Sequence, residues 1–231
     1  MPTVSVLIPA RNEQFLAKTV DDLFAKAATD IEVIVLLDGK PFPKLAERRN
    51  LLVLYRDEPA GMRAAINSCA NSAHGKFYMK LDAHCMVSEG FDAALMADCD
   101  RDWIVVPRRY ALDAENWRIE ANPKYPVDYH YLTYPWARPD QPGLHGMAWR
   151  KRARERRDIL IDDEMSSQGS CWFMHSYYFH RMGFMRTAGY GPFAQEFQEL
   201  GLSCWLSGGR VAVNKKCWYA HLHKGHRYGR G

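Results

Sequence analysis

A chain of 231 residues, 47% hydrophobic and 25% charged, has the make-up of one large folded domain or two small ones, not of a disordered or fibrous protein. Its formal net charge of +4 does not by itself imply a nucleic-acid partner, and no stretch approaches the ~18 apolar residues of a membrane-spanning helix. The six cysteines lack the C-x-x-C spacing of a zinc ribbon or thioredoxin site, and no charged leader or apolar h-region opens the chain, so free thiols in a reducing, cytoplasmic setting are expected.

Val4 to Ile8 (VSVLI) is an apolar, β-branched run closed by Pro9, the pattern of a buried strand ending at a loop. Residues 13–28 place Phe15, Leu16, Val20, Leu23 and Phe24 at helical spacing. Ile31 to Leu37 predicts a second buried strand, ended by Asp38-Gly39, and Leu51 to Tyr55 a third. Residues 61–73 predict a helix with Met62, Ile66, Cys69 and Ala73 on one face. Lys76 to Leu81 predicts a strand stopping at Asp82, residues 88–98 a helix, and Trp103 to Val106 a fifth strand. Short strand–helix units predict an α/β fold with a mostly parallel sheet flanked by helices. Ligands bind such sheets at the carboxyl ends of the strands. Attention therefore falls on Ala10 to Glu13, on Asp38, and on Asp82 to His84.

Residues 110–168, rich in Pro, Trp, Tyr and charge, predict no firm elements. Gly169 to Phe179 reads as strand and then helix, and residues 193–206 as a helix stopped by Gly208-Gly209. Arg210 to Asn214 reads as a short strand. No internal repeat or low-complexity linker divides the chain, so a single domain over 1–231 is expected.

The sharpest local feature is Leu81-Asp82-Ala83-His84. Two apart in extended chain, Asp82 and His84 point the same way and offer a carboxylate oxygen and an imidazole nitrogen to Mn2+ (or Mg2+). A surface turn explains the same triplet. Asp38, ending an apolar strand, faces solvent or a ligand, or else forms an Asp-Gly turn. His221 and His223, with His226 close behind, offer a further metal ligand or belong to a solvated basic tail running to Arg230. Glu196 and Glu199 share a helix face, where a carboxylate orients an acceptor hydroxyl or is simply solvated. Arg150, Lys151, Arg152, Arg154, Arg156 and Arg157 form a basic run suited to phosphates or to solvent.

These residues fit one pattern together. VSVLIPARNE resembles the first strand and loop of glycosyltransferase family 2, which has the GT-A fold. GMRAAINSCANSAHGKFYMKLDAHC resembles that family's helix, strand and D-x-D metal motif, with His84 in the third position. The D-x-H variant is similar to that of the polypeptide N-acetylgalactosaminyltransferases. Glu196, Glu199, Trp205, Gly208, Gly209 and His221 fall in register with their C-terminal motifs. The resemblance covers residues 3–107 and 169–224 and omits the middle.

The resemblance implies a nucleotide-binding half, 1–108, and an acceptor half, 109–231. It places Pro9, Ala10, Arg11 and Glu13 in the nucleotide pocket and Asp38 on the base or ribose. Asp82, His84 and His221 would hold Mn2+ (or Mg2+) on the diphosphate, with Asp82 also facing the donor. Arg63 would approach phosphate, although the family's usual Arg comes three residues later, where Ile66 stands. Glu196 and Trp172 would be the catalytic residues near the sugar or acceptor. Inverting members usually have Glu-Asp, with the Asp as base; Phe197 at that position implies retention of anomeric configuration.

The expected activity is transfer of a sugar from a nucleotide diphosphate, with UDP-sugar the implied donor. The acceptor is open among DNA with a hydroxylated base, which the basic runs suggest, protein, glycan and lipid-linked molecules. A sugar-nucleotide nucleotidyltransferase is a rival, but its early Gly-rich loop is replaced by PARNE. A non-catalytic binding module is the other rival, and the full set of three metal-ligand candidates argues against it.

Overall fold

Seven consecutive buried residues form β1 (Val4–Ala10) because this strand is central in its sheet and covered on both faces. The computed structural model describes residues 2–41, 43–122, 124–136, 143–190, 195–225 and 228. After β1 come α1 (Leu16–Lys26), β2 (Ile31–Asp38), β3 (Leu51–Arg56), α2 (Met62–Asn71), β4 (Phe77–Leu81), β5 (Cys85–Val87), α3 (Phe91–Ala97) and β6 (Trp103–Asp113). The second half adds β7 (Arg118–Ile119), β8 (His130–Leu132), β9 (Gly146–Ala148), α4 (Arg150–Glu155), β10 (Ile161–Asp163), β11 (Cys171–His175), α5 (Ser176–Arg181), α6 (Glu196–Leu206) and β12 (Arg210–His221).

A ten-stranded sheet runs in the order β10-β12-β6-β11-β4-β1-β2-β3, with β5 also paired to β12 and β7 to β6. Strands β4, β1, β2 and β3 are parallel, as are β6 and β12. Between them β11 runs antiparallel to both β4 and β6. The expected α/β architecture is therefore present, and its sheet is mixed. Side chains alternate between two buried layers. Val6 and Ile8 pack with Leu23, Phe91 and Leu95, and Leu7 packs with Ile66, Phe179 and Phe197. All six cysteines are buried and unpaired. Among the described residues no helix is long and apolar enough to cross a membrane.

Two strands outrun their sequence signals. β6 continues past Val106 to Asp113, and β12 continues past Asn214 to His221. In β12 the polar Asn214-Lys215-Lys216 interrupts the apolar pattern, and the register against β6 shifts between Asn214 and Trp218. A bulge there lets pairing resume beyond the polar stretch. The division at residue 108 falls inside β6, and strands of the second half pair with β4 and β6, so the two halves share one sheet.

Asp92 shows how the loops are fastened. It is fully buried at the start of α3, and its carboxylate accepts the backbone N–H groups of Ala28 and Thr29, both at 2.8 Å, and the Thr29 hydroxyl at 2.6 Å. Removing it takes the acceptor from these three donors after α1 and leaves a hole at a fully buried position. Asp92→Ala is expected to lower unfolding free energy by about 2–4 kcal/mol, read as a lower urea midpoint at unchanged slope.

Candidate metal and donor site

The site forms where β4 ends. Asp82 follows the strand, and Ala83 and His84 make a turn into β5. The two side chains meet across that turn, not by alternation along extended chain. The turn is fastened on three sides. Asp82 N–H donates to Ser170 O at 2.9 Å, and Leu222 N–H to His84 O at 3.1 Å. From α1, the Thr19 hydroxyl donates to Ala83 O at 3.0 Å and accepts Cys85 N–H at 3.1 Å. Thr19 is one of two polar residues, with Asp22, on the buried face of α1, and its spacing among apolar residues gives no hint of this role.

The end of β12 lies against β5, with His221 opposite Cys85. His221 Nε2 is 3.2 Å from Asp82 Oδ2 and 3.1 Å from His84 Nε2. Ligand atoms of Asp82, His84 and His221 all lie within 4.8 Å of one another, close enough to share one metal ion. Burial pushes the His221 pKa down to about 3, leaving the imidazole neutral, the form that ligates metal. His223 lies beyond the strand and is exposed, outside this group. His226 and the basic tail beyond it, Tyr228 excepted, lie outside the described residues.

Beneath Asp82 is a buried cation. Lys80 is 1% exposed and donates to Asp82 Oδ1 and, at 2.7 Å, to Gly169 O. Burial would lower the Lys80 pKa, but the adjacent Asp82 charge outweighs it and holds the pKa above its ordinary value. Burial would likewise raise the Asp82 pKa, and Lys80 instead holds this carboxyl well below the usual range. Asp82 is thus ionised, with Oδ1 committed to Lys80 and Oδ2 turned toward the histidines. A cation two residues before the acid gave no signal in the sequence reading, which took the strand only as apolar.

Other expected residues fall differently. Pro9 and Ala10 are still strand residues, paired with β2 and buried, while Arg11 just beyond is exposed. Glu13 turns to the metal group: its Oε2 is 3.0 Å from His84 Nδ1 and its Oε1 accepts Lys224 Nζ at 2.6 Å. Asp38 does not face solvent or present a free carboxylate. It is 4% exposed and accepts Arg56 Nη1 at 2.8 Å and the N–H groups of Ala60 and Gly61 at 3.1 and 2.7 Å. Those bonds order the loop into α2, which starts after Gly61 at φ +89°. Arg63 is buried, ion-paired with Glu199 and stacked under Tyr190. It ties α2 to α6, and Glu199 is not a solvated acid.

Glu196 opens α6 and is largely buried. Its carboxylate lies beside Gly169, where an added Cβ would stand 3.7 Å from Oε2. Trp172 corrects an expectation: it is fully buried, stacks on Phe179 at 5.6 Å between ring centroids, and belongs to the core. Its ring is enclosed by the core side chains on that side of the sheet and has no solvent-exposed surface. The basic run of α4 is largely engaged with nearby acids. Arg152 and Arg156 contact Asp162, Lys151 pairs with Glu155 at 3.8 Å, and Arg157 with Asp158 at 3.3 Å. A separate buried group, missed in the irregular middle, joins His130 Nδ1 to Glu164 Oε1 at 2.9 Å and Arg109 Nη2 to His130 Nε2 at 3.5 Å.

The mixed, mostly parallel sheet with flanking helices is the GT-A fold, shared with glycosyltransferases of known structure. The family model for glycosyl transferase family 2 matches residues 5–180, and the chain belongs to that family. It is 22% identical over 245 residues to "Probable N-acetylgalactosaminyltransferase 7" of Caenorhabditis elegans, a match covering 98% of this chain and 40% of the relative. Its fold is similar to that of GalNAc-T7, solved with UDP, GalNAc and Mn2+, at TM-score 0.78 and 19% identity, covering 97% of this chain and 44% of the other. It is also similar to the mannosyltransferase PcManGT of Pyrobaculum calidifontis, solved with GDP-Man and Mn2+, at TM-score 0.62 and 14% identity, covering 98% and 59%. The chain thus spans less than half the length of the first two of these relatives.

Trp172 gives a direct check on its reassignment. Trp172→Ala is expected to cost about 3–5 kcal/mol of stability in a denaturant titration. Its indole N–H has no partner among the described residues, so Trp172→Phe gives up only packing and is expected to cost about 1–2 kcal/mol, with Mn2+ affinity unchanged.

Proposed function

We propose that this chain transfers a sugar from a UDP-sugar to an acceptor hydroxyl, using a divalent ion held by Asp82, His84 and His221. The observation that carries the reading is the convergence of those three side chains at the carboxyl end of β4. A carboxylate with two imidazoles suits Mn2+, and Mg2+ less strongly, because imidazole is the softer ligand. When bound, the ion supplies Lewis-acid stabilisation of the departing diphosphate. The similarity to a GalNAc-T7 structure containing UDP, GalNAc and Mn2+ supports this donor class.

The chain's own residues set the geometry. Lys80 keeps Asp82 ionised and leaves Oδ2 for the metal. Arg11, exposed just past β1, faces the donor, while Pro9 and Ala10 give the pocket its floor. Asp38 acts on the nucleoside end through the loop it orders, and Arg63 through its hold on α6. Glu196, at the first turn of α6, orients the sugar or the acceptor hydroxyl. The next residue, Phe197, is wholly buried in the core, so no carboxylate stands where an inverting base would be. That supports transfer with retention of configuration. The carboxylates paired with the α4 cations weaken the case for DNA as acceptor and favour a hydroxyl on a protein or glycan.

The test is release of free UDP from a panel of UDP-sugars without acceptor, with Mn2+ or with EDTA. One UDP-sugar is expected to be cleaved in Mn2+ and not in EDTA. Asp82→Ala and His84→Ala are each expected to lose at least about 100-fold, the scale of several kcal/mol of lost charge stabilisation. No release from any donor, with no binding of UDP and Mn2+ in a calorimeter, would refute the reading.

A further inference from the structure

We propose that Glu13 is a positioning residue for the metal group, acting through His84; the inference rests on the metal-site reading above. The sequence pattern placed Glu13 among residues lining a nucleotide pocket. The geometry points elsewhere. Glu13 Oε2 lies 3.0 Å from His84 Nδ1, and the opposite ring nitrogen, Nε2, is the one turned toward His221 and Asp82. Both side chains are about nine-tenths buried, at 11% and 10% exposure.

A carboxylate behind an imidazole does two things. It accepts a hydrogen bond from Nδ1–H, which fixes the tautomer and leaves the Nε2 lone pair for the metal. It also fixes the ring plane, so the imidazole does not have to be ordered when the ion binds. Lys224 holds the other Glu13 oxygen at 2.6 Å and balances its charge in this poorly solvated place. Glu13 and Lys224 are far apart in sequence, one just after β1 and the other just after β12. The contact therefore closes the metal group from both ends of the chain. His221 has no comparable support: its Nδ1 is buried with no hydrogen-bond partner among the described residues. The burden of pre-orienting an imidazole falls on Glu13.

The experiment is a Mn2+ titration of the full chain without nucleotide, following free Mn2+ by its electron paramagnetic resonance signal. UDP affinity is measured separately in EDTA. Glu13→Ala is expected to weaken Mn2+ binding about 10- to 100-fold, the usual scale for losing such a partner. Metal-free UDP affinity is expected to stay the same. Glu13→Gln retains an acceptor for His84 Nδ1–H and is expected to recover part of the loss. Circular dichroism melting of each variant checks that the fold is intact, and His84→Ala serves as the reference for loss of a ligand. If Glu13→Ala binds Mn2+ like the parent while His84→Ala is weakened, the positioning role is wrong and the metal site stands. Loss of metal-free UDP affinity in Glu13→Ala at unchanged Mn2+ affinity would return Glu13 to the nucleotide pocket. If neither the parent nor any variant takes up Mn2+, the metal-site reading fails and this proposal with it.

Discussion

The turn from Asp82 to His84 is gripped by Ser170 of the segment entering β11, by Leu222 after β12, and by Thr19 of α1. Each grip belongs to a different part of the chain, so the turn takes its shape only when the sheet is complete. Parallel pairing of β12 with β6, and antiparallel pairing with β5, then delivers His221 to the same point. Side chains from residues 82, 84 and 221 meet because one sheet spans both halves of the sequence. Placing ligands on such rigid elements removes much of the ordering cost of binding an ion.

Burying an acid among imidazoles is unfavourable unless its charge is met. Lys80 meets it from below, and that pairing keeps both groups charged in a place with little water. The arrangement leaves Asp82 one committed oxygen and one directed at the histidines. Burial has the opposite consequence for His221, which stays neutral and so keeps a lone pair for metal. Desolvation keeps His221 neutral, while Lys80, working against that same desolvation, keeps Asp82 ionised.

The apolar runs from Val4 and Ile31 were legible because these parallel strands lie inside the sheet and are covered on both faces; the run from Leu51 also starts where its strand starts, but β3 lies at the sheet edge and is partly exposed, not buried as its pattern suggests. Asp82, His84 and His221 were also legible, since a motif and a register point to them. What was hidden is what depends on partners remote in sequence. β12 could not be followed past Asn214, because a polar stretch at a bulge looks like an ending. Asp38 read as a ligand contact because its three donors come from the approach to α2 and from Arg56. Trp172 read as a residue near the sugar or acceptor, whereas its ring is fully buried and stacked on Phe179. Glu13 was noticed for its motif, but its partners, His84 and Lys224, come from distant parts of the chain.

A crystal grown with Mn2+ and UDP, with diffraction recorded on both sides of the manganese absorption edge, would locate the ion independently of the protein density. One anomalous peak is expected between Asp82 Oδ2, His84 Nε2 and His221 Nε2, with the diphosphate beside it. A peak elsewhere, or a diphosphate bound with no ion at those three residues, would contradict the metal-site assignment.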